Sequence, residues 1–92
     1  MFELKDIQKI DDSYFNVIRI SEYDIEIQSE NTGHVWLLHS TENDDKGDCI
    51  IFHKHNIKHR YHRHGTAGNM AIAVRNIKSH DKWQLAGRKQ MA

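Results

Sequence analysis

Asp24-Ile25-Glu26-Ile27-Gln28 alternates apolar and polar side chains without a break. Successive side chains of an extended strand point to opposite faces, so Ile25 and Ile27 share one face and Asp24, Glu26 and Gln28 the other. That is the pattern of an antiparallel strand with one side on a core and the other in water. The flanking segments continue it. Phe15–Ile20, FNVIRI, is rich in β-branched and aromatic residues, and Ser21-Glu22 can turn it into the alternating strand. Asn31-Thr32-Gly33 is a turn signal, after which residues 34–40, HVWLLHS, read as a more completely buried strand.

The polar stretch 41–48, TENDDKGD, reads as an exposed loop. After it, CIIFHK (49–54) and HRYHRH (59–64) form two short strands around a turn near Asn56-Ile57. Gly65-Thr66 closes the sheet, with Thr66 as a helix N-cap. Met70, Ala73, Val74 and Ile77 then recur at helical spacing, which predicts an amphipathic helix to about Ser79. Phe2, Leu4, Ile7 and Ile10 predict a short N-terminal helix ending at Asp11-Asp12-Ser13. Trp83 and Leu85 are expected to fold back on the core, and residues 86–92 to form a frayed tail. The fold expected is therefore α+β: a single antiparallel β-sheet of four or five strands packed against a C-terminal helix, with a short N-terminal helix, residues 1–92 making one small domain. In outline this order is similar to that of the double-stranded-RNA-binding domain. Such domains carry a lysine-rich start to the last helix; this chain has Gly65-Thr66-Ala67-Gly68-Asn69 there, so no RNA-binding residue carries over.

Composition agrees with a folded domain. The chain has 92 residues, 38% hydrophobic and 28% charged, with no proline. A domain of this size buries roughly two thirds of its unfolded surface. One cysteine, Cys49, excludes an internal disulfide framework, and a reducing, cytoplasmic setting is expected. No apolar run approaches the roughly 20 residues that span a bilayer, so no membrane association is expected. Net charge is zero, but it is unevenly placed. Residues 1–48 hold twelve of the 13 acids against four basic residues, a balance of −8, and residues 49–92 hold nine Lys/Arg against Asp81 alone, a balance of +8. Either the two halves interleave and neutralise one another, or one basic face attracts polyanions or an acidic partner.

The segment HKHNIKHRYHRH, residues 53–64, concentrates that basic character. It holds five of the eight histidines, four Lys/Arg and no acid. Pairing His53 opposite Arg60 groups Ile50, Phe52, Tyr61 and Arg63 on one face, and Ile51, His53, His55, Arg60, His62 and His64 on the other. This register keeps the apolar residues together and predicts a histidine strip on the face away from the core, with Cys49 opposite His64.

Four readings follow from that strip. The leading one is a small non-enzymatic binding module that engages a nucleic acid or nucleoprotein complex through His53, Lys54, His55, Lys58, Arg60, His62, Arg63 and His64. A chain this small and poor in motifs also suits an inhibitor from a phage or other mobile element, in which Glu22, Asp24, Glu26 and Glu30 form an alternative acidic binding surface. The second reading is Zn or Ni binding by His53, His62, His64 and Cys49, since two His-x-His pairs on adjacent strands can converge. A small metal-independent ribonuclease, with one hairpin histidine as general base, is the third. The fourth is a solvated basic face that discourages edge-to-edge pairing. His34 and His39 read as strand ends, and His80-Asp81 as a cap following the last helix. Phosphate-binding glycine loops and Cys-x-x-Cys are absent, and no cofactor is expected. Exposed sheet edges make a homodimer reasonable.

Overall fold

The computed structural model describes residues 1–41 and 49–86. Five strands form one antiparallel sheet in sequence order: β1 (Phe15–Ile20), β2 (Asp24–Ser29), β3 (Val35–Ser40), β4 (Cys49–Lys54) and β5 (His62–Ala67). Helix α1 (Leu4–Ile7) precedes the sheet and α2 (Met70–Leu85) follows it. The fold is α+β, as the alternation in β2 requires.

Ile25 and Ile27 are fully buried, and the register carries their face across the sheet. Ile25 pairs with Leu38, which pairs with Ile51; Ile27 pairs with Trp36, which pairs with His53. Against this face α2 lays Met70, Ala73, Val74 and Ile77, the stripe read from the sequence. Burying a side chain of that size contributes roughly 1.5–3 kcal/mol. The helix begins over Cys49 and Ala67, which pair with each other, and runs towards Trp36 and His53.

Among the described residues, no helix covers the opposite face. Leu37, Ile50, Phe52 and Tyr61 are half-buried there, among charged neighbours. The acids of β2 are answered within this face. Asp24 lies 2.8 Å from His39 Nδ1, and Glu26 accepts from Tyr61 OH and sits 4.0 Å from Arg19. Of the acidic set read from the sequence, Glu22 and Glu30 remain exposed, at opposite ends of β2.

Several boundaries differ from the sequence reading, each for a local reason. β5 starts at His62, not His59, because Asn56 builds a turn: its side chain accepts from Lys58 N (2.8 Å) and its carbonyl from His59 N (3.1 Å). The strand runs on through Gly65 and Thr66 to Ala67. The N-cap is therefore Asn69, whose side chain accepts from Ile72 N at 2.9 Å. With no Gly or Pro between Asn69 and Ala86, α2 continues to Leu85. Trp83 and Leu85 thus lie in its last turn, and His80-Asp81 sits inside the helix. The expected loop is described only at Thr41, and the expected tail only at Ala86, the C-cap of α2; their remaining residues lie outside the described ones.

Candidate metal centre

Cross-strand pairing brings the histidines together. His53 pairs with His62 and not with Arg60, since loop 55–61 lengthens the turn. The difference is two residues, so the face assignments survive: His53 and His62 still share the side of Ile51. The strip nevertheless lies on the side of the sheet that α2 covers, which reverses the expectation that it points away from the core; within it His53 is buried, and His55, His62 and His64 stay exposed. Leu38 and Trp36 fix the side that α2 covers, and their register partners Ile51 and His53 must follow. His53 is only 2% exposed.

A bulge completes the arrangement. Phe52 pairs with Arg63 and Ile51 with Gly65, leaving His64 as the extra residue of β5. Around His53 then stand the rings of His34 (centroids 4.9 Å), His80 (5.0 Å), His55 (5.1 Å), His62 (5.2 Å) and His64 (5.6 Å). Trp36 stacks on His53 at 4.0 Å and forms the floor.

Two of these histidines come from outside the hairpin and are placed by their own anchors. His34 follows Gly33, whose φ of 76° suits glycine in the turn that joins β2 to β3. Gly33 N donates to Ser29 O (2.8 Å), and His34 N to Thr32 Oγ1 (3.2 Å). Thr32 Oγ1 in turn donates to Asp81 Oδ1 (3.1 Å), and Tyr14 OH to Asp81 Oδ2 (2.8 Å). Asp81 is fully buried, so one carboxylate ties the β2–β3 turn to the helix that carries His80.

The electrostatics favour neutral imidazoles. Burial, reinforced by the neighbouring His34, His80 and His55, lowers the pKa of His53 to about 3. Burial likewise lowers His64 and His80, with His62 adding to the effect on the first and His64 on the second. His53 Nε2 and His34 Nδ1 are hydrogen-bonded at 2.9 Å.

Neutral imidazole is the form that ligates metals. His34, His53 and His80 each offer a ring nitrogen, and these nitrogens lie within 4.8 Å of one another. Zn–N bonds of about 2.0–2.1 Å at tetrahedral angles separate ligand nitrogens by roughly 3.3 Å. One shared ion would draw the three to that spacing and take the place of the hydrogen bond between His53 and His34. Among the described residues no other set of three or more such ligands converges this way.

The residues singled out in the sequence are divided by the structure. His53, His55, His62 and His64 belong to the cluster. Lys54 packs over the Tyr61 ring at 4.3 Å and donates to Ile57 O, while Lys58 and Arg60 are exposed in loop 55–61. Arg63 is exposed on the other face. Cys49 is remote from His53 along β4, paired with Ser40 and Ala67 and not with His64, because the longer turn shifts the register by two residues and the bulge by one more. The sequence pattern points to a strand end at His34 and a cap at His80, and the structure sets both rings against His53. The missed signals were spacing: His34 and Trp36 share a strand face, and His80-Asp81 extends the Met70–Ile77 stripe by another turn.

No protein-family model, curated protein or solved structure matches this chain. Among the described residues, no helix is long and apolar enough to cross a membrane.

Proposed function

We propose that this protein binds a divalent transition metal through His34, His53 and His80. The observation that supports this is the convergence of three imidazole nitrogens from three separate elements: the β2–β3 turn, β4 and α2. Imidazole-only sets suit Zn, Ni and Cu. Three protein ligands leave at least one coordination position open, the arrangement of exchangeable and catalytic sites and not of closed structural ones. His53 is uncharged at neutral pH, so metal binding would need only the tautomer that frees the nitrogens now sharing a proton between His53 and His34.

The test is retention of metal after exposure to Zn2+, Ni2+ or Co2+ and exhaustive dialysis. One equivalent retained by the wild-type chain and lost by His80→Ala, with the same circular dichroism, supports the centre. Retention by that variant, or none by the wild type, overturns it.

A second reading keeps loop 55–61 as a contact surface for a nucleic acid or nucleoprotein complex. The exposure of Lys58 and Arg60 on that loop favours it. Binding that weakens steeply with salt and with Lys58→Ala/Arg60→Ala would support it.

A further inference from the structure

We infer that the open position of the proposed metal centre takes a phosphate oxyanion, held from the side by His55, His62 and His64. The inference rests on the metal reading above and adds the class of ligand. Charge balance leads to it. Three neutral imidazoles leave a divalent ion's two charges uncompensated, and the converging set contains no carboxylate. Asp81, the nearest acid in the chain to His80, already accepts from Tyr14 and Thr32. A dication so placed in a half-buried site favours an anionic fourth ligand.

The surroundings select the anion. His55 is exposed and stacks on His34 at 4.7 Å with the rings 9° from parallel. His64, also exposed, meets His80 edge-on at 5.0 Å, and exposed His62 meets His53 at 5.2 Å. Three imidazoles thus border the three ligands on their solvent side. A tetrahedral oxyanion with one oxygen on the metal presents its other oxygens to such a rim, where ring N–H groups donate. A carboxylate has one oxygen left and uses less of it. Lys58 and Arg60, in the loop joining His55 to His62, add positive charge on the approach. Free phosphate keeps three oxygens for the rim and a phosphodiester one non-bridging oxygen beside its two ester oxygens; both place a phosphoryl oxygen on the metal, and free phosphate uses the rim more fully.

Cobalt makes the site visible. The protein is loaded with one equivalent of Co2+, and its visible absorption is followed during titration with inorganic phosphate, with a single-stranded oligonucleotide lacking terminal phosphates, and with acetate. The expected result is a spectral change with phosphate at concentrations at least tenfold below those needed for acetate. In His62→Ala/His64→Ala the cobalt band persists but phosphate binds at least tenfold more weakly. If the oligonucleotide reproduces the change and competes with phosphate, the source is a phosphodiester; if phosphate alone does so, it is the free anion. A cobalt band that neither phosphate nor the oligonucleotide moves, or that acetate moves equally well, overturns the inference and leaves the metal centre standing. No cobalt band at all overturns both.

Discussion

His53 Nε2 lies 2.9 Å from His34 Nδ1, a hydrogen bond between two buried imidazoles, one on β4 and the other in the β2–β3 turn. One ring must donate and the other accept, so the pair accommodates one shared proton and resists a second. Trp36 stacks on the His53 ring, which is almost fully buried, so water cannot compensate a charge there.

Acid should therefore destabilise the metal-free protein. His53 carries a pKa lowered from 6.5 to about 3. Above pH 6.5 neither the folded nor the unfolded form is protonated at this residue, and nothing is lost. As pH falls from 6.5 towards 3, the unfolded chain takes up a proton that the folded chain refuses. Stability then drops by about 1.4 kcal/mol per pH unit for this one residue. Urea midpoints at pH 7 and pH 5 measure it; His53→Phe should flatten the dependence, and an unchanged slope would refute the assignment.

Metal should stabilise the fold by mass action. At a free concentration 100 times its dissociation constant, a ligand specific for the native state adds about 2.7 kcal/mol. Thermal unfolding with and without Zn2+ should show a higher midpoint for the wild-type chain and none for His80→Ala.

Asp81 is expected to matter to the site without ligating anything. Asp81→Ala removes the acceptor of the Tyr14 and Thr32 hydroxyls and leaves Tyr14 OH only the Asn31 amide, at a cost of about 3 kcal/mol. Tyr14→Phe should cost about 1 kcal/mol, and the double variant less than the sum, since both act on one hydrogen bond. Metal affinity should fall in Asp81→Asn even where the fold persists. Equal affinities would confine Asp81 to a packing role.

Charge reversal separates two glutamates of the acidic half. Glu26→Lys removes the partner of Tyr61 and Arg19 and should destabilise by about 1–3 kcal/mol. Glu30→Lys, exposed after β2, should change stability by under about 0.5 kcal/mol. Chemical denaturation of the two variants side by side decides this.

The fold was legible because period-two alternation in Asp24–Gln28 and the Met70–Ile77 stripe each name a buried face. What alternation does not tell is which face of a mixed strand the helix covers. Ile50 and Phe52 are as apolar as Ile51, so β4 alone pointed outwards with its histidines; only pairing with Leu38 and Trp36 decides otherwise. The hairpin register depended on Asn56, whose turn moves His62 opposite His53. His34 and His80 stayed hidden for a further reason. They are 46 residues apart in the sequence, and the Asp81–Thr32 hydrogen bond that joins their elements has no local pattern.

Helix α2 divides its labour along its length. From Met70 to Ile77 it presents hydrocarbon to hydrocarbon, and one turn later it presents His80 to the imidazoles and Asp81 to Tyr14 and Thr32. Met70 and His80 are about 15 Å apart along the axis. An exchange at His80 is therefore expected to leave the hydrocarbon end packed, whereas one at buried Asp81, which fastens the same turn of the helix to Tyr14 and Thr32, loosens the scaffold itself.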